Sequence, residues 1–348
     1  MVLMTVDHAS LFYNTGRVAD DSVATYTAGS ALPLAQFLTR WVTHICAPTF
    51  LFLAGTALAL SCARRIDAGH TQAAIRRELL IRGGLIAALD LLYMSALAQH
   101  VMLQVLYAIG LSMIAMAFLR HLSDRALLSL ALGWFALGEL LTDAAWDPPT
   151  NASIALAMTV ARYTDDSLWI FYPVVPWLAM MMLGWVFGNY LRTRGEAAAS
   201  RVLVLSGLAA LGVFGAVRGW ASYGNMWLQR DGDSLQQWLH VSKYPPSLSY
   251  AALELGLMAL GIAALMGVAR RVTVRASGPI LLFGQTALFF YIAHFTLLGI
   301  SKPLLGLERG GLERVYVAAA VVLLVLYPCC LWFRSFKRAR PDGWVRFI

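Results

Sequence analysis

Apolar residues occur in long runs broken by short polar segments, and the runs approach the length, about 20 residues, that an α-helix needs to cross a bilayer. They are too long for buried strands, and the pattern predicts helices over 1–14, 44–63, 79–98, 102–119, 126–142, 168–190, 202–219, 247–269, 278–301 and 314–334. No connection is much longer than about 30 residues, too short to fold as a soluble module without disulfides or a metal. The expectation is an all-α, polytopic integral membrane helix bundle of about ten transmembrane helices, one domain over 1–348. Any chemistry then belongs inside the bundle or at its mouth.

Composition sharpens this picture. Hydrophobic residues make up 59% of the chain and charged residues 13%, about half the charged share of a soluble protein. Lys and Arg accumulate on the cytoplasmic side of membranes. Of the 27 Lys and Arg residues, 18 fall in every second loop and the tail, among them Arg64, Arg65, Arg76, Arg77, Arg82, Arg120 and Arg125. The alternate loops hold Asp20, Asp21, Asp143, Asp147, Asp165, Asp166, Asp231 and Asp233. This predicts both termini on the cytoplasmic side. It also explains the net charge of +8 by orientation and contact with anionic membrane lipids, and gives no reason to expect nucleic acid as a partner. Cys46, Cys62, Cys329 and Cys330 suggest no disulfide framework. The first helix is the exception: even through Tyr13 or Asn14 it is too short for a bilayer of about 30 Å. A truncated first helix, with the natural start upstream of Met1, is the expectation.

Ionisable groups inside apolar runs are costly in lipid and usually face a bundle interior or a cavity. Here they collect at the outer ends of the runs. Asp7 and His8 lie in the first; Arg40, Trp41 and His44 open the second, with Arg40 and His44 one helical turn apart on one face; Asp90 sits mid-run in the third. Tyr172 and Trp177 open the sixth, and Lys243, Tyr244 and Ser247 open the eighth, where Ser247, Tyr250 and Glu254 form a stripe. In the ninth, Tyr291 and His294 are three apart and share a face.

The concentration points to a polar cavity walled by helices one, two, three, six, eight and nine. Its catalytic candidates are His8, His44, His294, Asp90 and Glu254. Neighbours in a helix point about 100° apart, so an acid from another helix, Asp90 or Glu254, is a better expected partner for His8 than Asp7. Substrate-binding candidates are Arg40, Trp41, Tyr172, Trp177, Lys243, Tyr244, Ser247 and Tyr291. For Trp41, Tyr172, Trp177 and Tyr244 the headgroup belt in which Trp and Tyr anchor membrane proteins is at least as good a reading. No two of the seven histidines have ligand spacing on one helix, so no metal is expected. Gly184 with Gly188, and Gly215 with Gly219, are expected helix-packing contacts.

Four segments in order, "FLTRWVTHICAPTFLFLAGTALAL" (37–60), "FYPVVPWLAMMMLGWVFG" (171–188), "KYPPSLSYAALELG" (243–256) and "FGQTALFFYIAHFTLL" (283–298), together resemble a bacterial family of membrane proteins. That family is related to heparan-α-glucosaminide N-acetyltransferase, the transmembrane acyltransferases that carry an acetyl group across a bilayer. "MVLMTVDHAS" (1–10) is similar to the end of the family's first motif, whose preceding Leu-Asp-x-x-Arg-Gly segment this chain does not contain.

The resemblance implies an acetyl-CoA-dependent acyltransferase, multi-pass in the bacterial inner (cytoplasmic) membrane. Acetyl-CoA would be the co-substrate at the cytoplasmic face, and a sugar or glycan the acceptor on the periplasmic side. It further implies His8 as the residue that handles the acyl group, with His44 and His294 next. A neutral imidazole can act as general base or covalent acyl carrier, Arg40 or Lys243 can stabilise a developing oxyanion, and cytoplasmic arginines can pair with donor phosphates. An oligomer is compatible with this pattern. The competing reading is a solute transporter or lipid-linked glycan flippase using the same cavity. An enzyme is preferred because no internal repeat occurs and the prolines of helices six and eight stand at their ends, not mid-span.

Overall fold

Each predicted apolar run is helical over most of its length in the computed structural model, which describes residues 1–148, 150–340 and 343. In chain order the helices are α1 (Val2–Tyr13), α2 (Leu34–Trp41), α3 (Cys46–Asp67), α4 (Gln72–Ala88), α5 (Ser95–Ala98), α6 (Val105–Leu119), α7 (Asp124–Asp143), α8 (Ile154–Thr159), α9 (Val174–Trp220), α10 (Leu235–Leu239), α11 (Leu248–Ala269), α12 (Pro279–Gln285), α13 (Ala287–Leu304) and α14 (Leu312–Arg338). Seven helical segments among the described residues are long and apolar enough to cross a membrane, and this is a multi-pass membrane protein. The helix α6 is apolar but shorter. The two runs predicted at 168–190 and 202–219 are joined in the 47-residue α9, where Gly195 (φ 79°, ψ 171°) is the one non-helical residue. A break at a residue without a Cβ replaces the expected loop.

The chain divides into two compact units. The first comprises Met1–Ala19, Ala31–Cys46 and Val268–Ile348. Within it α1 packs on α2, α13 and α14, and α14 also packs on α12 and α13. Apolar faces close this contact, with Met4, Ala9 and Tyr13 of α1 buried, as are Phe290, Phe295 and Leu298 of α13. The end of α1 is fastened to the α13–α14 connection: Gly310 N–H donates to the Tyr13 carbonyl (2.8 Å) and Thr15 N–H to the Gly310 carbonyl (2.9 Å). The Tyr13 and Ser301 hydroxyls meet at 2.7 Å. A helix of 12 residues is thus held by side-chain burial and by hydrogen bonds at its end.

The second unit comprises Asp20–Ser30 and Ala47–Gly267. Here α4 packs on α6, and α9 on α6 and α7. The Gly184–Gly188 expectation holds: a Cβ at Gly184 would overlap the Phe52 carbonyl of α3, and Gly188 lies against Thr56 and Ala59. The Thr56 hydroxyl donates to the Gly184 carbonyl across the same contact (3.0 Å). The Gly215–Gly219 expectation does not hold, since nothing lies within 4 Å of a Cβ at Gly215 and Gly219 meets only a Trp238 ring carbon at 3.8 Å. Backbone approach without room for a methyl makes Gly184→Val a severe change, costing about 1–3 kcal/mol or more. Thermal unfolding in detergent should show a much lower Tm for Gly184→Val and a small change for Gly215→Val.

Four local departures from the predicted helices have identifiable causes. First, the bundle is not all-α. Leu168–Ile170 forms strand β3 of a three-stranded sheet, parallel to β1 (Val101–Leu103) and antiparallel to β2 (Tyr163–Thr164). Pro173 restricts Tyr172 to extended backbone. Asp165 builds the β2–β3 turn, Oδ1 accepting from the Ser167 and Leu168 N–H groups (both 2.7 Å) and Oδ2 from the Tyr163 hydroxyl (2.6 Å), contacts that hold its carboxyl well below the usual carboxylate range. Second, Leu89–Met94 widens into a π-helical turn where Asp90 and Ser95 capture backbone of the following segment. Third, the predicted 278–301 helix breaks at Thr286, whose hydroxyl donates to the Leu282 carbonyl (2.9 Å).

Fourth, α2 ends at Trp41 and α3 begins at Cys46. The N–H groups of Thr43, His44 and Cys46 donate to carbonyls three residues back, Arg40, Trp41 and Thr43. At about three residues per turn, positions four apart diverge by roughly 120°. The regular α-helical spacing on which their shared face was predicted thus gives way to a tighter turn between Arg40 and Cys46.

Candidate functional site

The candidate residues fall into two groups, one in each unit. In the first unit α1 carries Asp7 and His8, α2 carries Arg40 and Trp41, the α2–α3 turn carries His44, and α13 carries Tyr291 and His294. The packing of α1 on α13 brings His8 and His294 together although 286 positions separate them, with His8 Nδ1 2.6 Å from His294 Nε2. Their rings stack at 4.9 Å between centroids and 13° between planes. His294 is fully buried and His8 half-buried. The partner predicted for His8 was an acid, Asp90 or Glu254; the group at its Nδ1 is an imidazole.

Hydrogen-bond chemistry orders the protons in this pair. His294 Nδ1 lies 2.8 Å from the Phe290 carbonyl, one helical turn earlier. A carbonyl oxygen only accepts, so this nitrogen carries the proton. With both rings neutral, His294 Nε2 is then a lone-pair acceptor and His8 Nδ1–H the donor to it. His8 Nε2 is left as the basic nitrogen of the pair. Aromatic rings fix the geometry: Phe295 meets His8 edge-on at 4.9 Å, and Tyr291 meets His8 at 6.0 Å and His294 at 5.6 Å, both edge-on. The contact predicted between Tyr291 and His294 is thus present as ring packing.

Asp7, next in sequence to His8, accepts at Oδ1 from Arg40 Nη1 (2.6 Å) and Arg17 Nη2 (2.8 Å), while Arg17 Nη1 also donates to the Asp7 carbonyl (2.8 Å). Two guanidiniums meet one carboxylate in this cluster. Sequence reading had selected Arg40 but overlooked Arg17, an isolated cation just beyond the first run and ten residues from Asp7. His44 is buried, and Trp41 buries its indole N–H without a hydrogen-bond partner among the described residues.

The second unit holds Asp90, Tyr172, Trp177, Lys243, Tyr244, Ser247 and Glu254. Trp177, Lys243, Ser247 and Glu254 are buried. An aromatic chain runs Trp177–Tyr172 (4.7 Å), Tyr172–Tyr244 (5.5 Å) and Tyr244–Phe171 (5.4 Å) between ring centroids, with Tyr250 6.3 Å from Trp177. Lys243 Nζ lies 5.3 Å from the Tyr244 centroid and is also within electrostatic range of Glu254. Glu254 Oε1 and Trp177 Nε1 have no hydrogen-bond partner among the described residues. Such buried polar atoms, set among aromatic walls, are what a binding site for a hydroxyl-rich or amine ligand requires.

Two candidates have defined local contacts. Asp90 Oδ2 accepts from the N–H groups of Gln104 (2.7 Å) and Tyr107 (2.8 Å), so it caps the start of α6 from another helix, while its Oδ1 has no hydrogen-bond partner among the described residues. Ser247 Oγ accepts from the Tyr250 N–H (3.0 Å) and caps α11. One further buried cation, Arg218, escaped the sequence reading. Its guanidinium donates to the Asn225 side chain (2.9 Å) and to the carbonyls of Leu228 (2.9 Å), Gln237 (2.5 Å), Trp238 (3.2 Å) and His240 (2.8 Å). An arginine inside the apolar run "VFGAVRGW" was the available signal.

Membrane-spanning helices around a buried imidazole pair and a separate aromatic, ionisable cluster define a multi-pass membrane protein with the ingredients of an enzyme. The family described as "Heparan-alpha-glucosaminide N-acetyltransferase, catalytic" matches residues 23–215, more than half of the 348, and the chain belongs to this family. No curated protein matches the chain. The matched segment contains Arg40, Trp41, His44, Asp90, Tyr172 and Trp177, whereas His8, Lys243, Tyr244, Ser247, Glu254, Tyr291 and His294 lie outside it. Membership makes this a membrane protein of acetyltransferase type.

Proposed function

We propose that the protein transfers an acetyl group from acetyl-CoA to a hydroxyl or amine of a sugar or glycan acceptor, with His8 as the catalytic residue. The observation that carries this reading is the His8–His294 contact, in which His294 Nδ1 is fixed on the Phe290 carbonyl and His294 Nε2 faces His8 Nδ1. The donor is a thioester and supplies an activated acetyl group. His8 Nε2 either takes the acceptor's proton as general base while the acceptor attacks the thioester carbonyl, or attacks that carbonyl itself and then passes the acetyl group to the acceptor; in both routes the C–S bond breaks, coenzyme A leaves as its thiolate, and the proton given up by the acceptor neutralises it. In both cases His8 becomes cationic, and its Nδ1–H bond to His294 Nε2 strengthens as charge develops. His294 acts through His8 and is a positioning residue. The Asp7–Arg17–Arg40 cluster lies beside His8 in sequence, and its guanidiniums are donors of the kind that favour a developing oxyanion.

Acceptor recognition is assigned to the aromatic chain with Lys243 and Glu254, where the unpartnered Glu254 Oε1 and Trp177 Nε1 invite a polar ligand. Cytoplasmic termini, a cytoplasmic donor and a periplasmic acceptor complete the reading, supported by the distribution of loop cations. The experiment is label transfer from radiolabelled acetyl-CoA to a panel of periplasmic glycans, using membranes that contain the protein. Labelled glycan is the expected result. Movement of intact sugar across proteoliposomes with no label transferred would replace the enzyme by a transporter.

A further inference from the structure

A groove of about 670 Å³ lies between α13 and α14 within the first unit, lined also by Tyr13 of α1. Helical spacing builds its two walls. Leu297, Ser301 and Leu305 recur every four residues along α13 and its C-cap, and Val317, Val321 and Val325 do so along α14. Each stripe runs for about 12 Å at 1.5 Å per residue. Leu298 and Val322, both buried, form the floor, while Val317 and Val321 are exposed at the rim. The loop that joins the two helices closes one end with Glu308, Glu313 and Arg314.

These three charges do not cancel one another. Arg314 Nη1 donates to the Glu308 main-chain carbonyl (2.8 Å), and the Gly311 N–H donates to Glu313 Oε1 (3.0 Å). A Cβ on Gly310 would overlap the Arg314 side chain, which therefore lies against the loop. Among the described residues neither carboxylate makes an ion pair, and the other Arg314 N–H groups have no protein acceptor. An apolar trough that ends in one guanidinium beside two carboxylates complements a ligand with a hydrocarbon chain, an anionic group and an ammonium. Phosphate suits the guanidinium and ammonium suits the carboxylates, whereas a purely anionic headgroup would face both glutamates. The volume is that of small-ligand sites, about 300–1,000 Å³. A second helix, about 10–12 Å across with its side chains, would rest on the valine rim and leave the floor empty.

We propose that the α13–α14 groove binds one phosphatidylethanolamine molecule, with an acyl chain along the two stripes, the phosphate on Arg314 and the ammonium on Glu308 and Glu313. The site stands whether or not the protein transfers acetyl groups. It also bears on α1, because Gly310 of the same loop exchanges hydrogen bonds with Tyr13 and Thr15. An occupied groove thus braces the helix that carries His8.

The test is native mass spectrometry of the full-length protein, delipidated in detergent and titrated with phosphatidylethanolamine, phosphatidylcholine and phosphatidylglycerol of equal chain length. One phosphatidylethanolamine should bind saturably, about tenfold tighter than phosphatidylglycerol, with phosphatidylcholine between them because its ammonium has no N–H. Val321→Trp fills the groove and should abolish retention, whereas Leu324→Trp, exposed on α14 outside the groove, leaves it unchanged. Arg314→Gln should weaken all three lipids by about tenfold. Glu308→Lys should reverse the preference in favour of phosphatidylglycerol. Thermal unfolding reports whether each variant folds; where Arg314→Gln does not, the exposed Glu308 and its Lys variant decide. Failure of wild type to retain phosphatidylethanolamine, or equal retention of it and phosphatidylglycerol, overturns the proposal. Equal retention by wild type and Val321→Trp overturns it as well. A wild-type dimer that holds no lipid and is split by Val321→Trp overturns it in favour of a second copy of the chain on this face.

Discussion

His8→Ala is expected to reduce acetyl transfer by at least about 100-fold, the scale on which positioned general bases act, with the Tm changed little because His8 is half-buried. His294→Ala should lose activity too, but for another reason: without an acceptor at His8 Nδ1, the His8 ring is free to turn and to exchange tautomers. His294→Gln keeps a side-chain carbonyl that can accept from His8 Nδ1, so partial recovery relative to His294→Ala marks a positioning role. The double variant should be no worse than His8→Ala alone, since residues acting as one unit lose their effect together. Acid-quenched mass spectrometry of wild type with acetyl-CoA alone separates the two chemistries: an acetylated His8 identifies a carrier, an unmodified one a base. Full transfer by His8→Ala would remove it from the mechanism.

Arg218→Ala is expected to produce the largest loss of stability. Five acceptors converge on one buried guanidinium, and most are carbonyls of the 225–240 segment, which has few regular hydrogen bonds of its own. Deleting the donor leaves these acceptors inside without partners at about 1–3 kcal/mol each where water cannot reach them. A net loss of roughly 3 kcal/mol corresponds to a fall in Tm of about 6–12 °C for a unit of this size. Lysine offers three donors from a single point and not a planar fork, so Arg218→Lys should recover only part of the loss. A Tm for Arg218→Ala within about 1 °C of wild type would show that the clamp contributes nothing.

The helices were legible because lipid demands long apolar runs, and the Gly184–Gly188 contact because close backbone approach leaves room for no side chain. Spacing alone could not distinguish that pair from Gly215 and Gly219, at neither of which another backbone comes within 4 Å of a Cβ. Leu168–Ile170 is as apolar as the helix after it, and only its pairing with Val101–Leu103 makes it a strand. His8 and His294 were each visible as an ionisable group in an apolar run. Their contact was not, because nothing local in a sequence joins positions 286 apart. Asp90 and Ser247 drew notice for the same reason as the histidines, yet their oxygens cap helices. A buried polar residue announces that it has a partner and not which kind.

The first unit is assembled from three separated stretches of chain, whereas the second is nearly continuous from Ala47 to Gly267. During synthesis the second unit can therefore insert and close while α1 still waits for α13 and α14. At 5–20 residues per second, His8 precedes His294 out of the ribosome by roughly 15–60 s. The histidine pair therefore cannot form until residues 47–267 of the second unit have already been made.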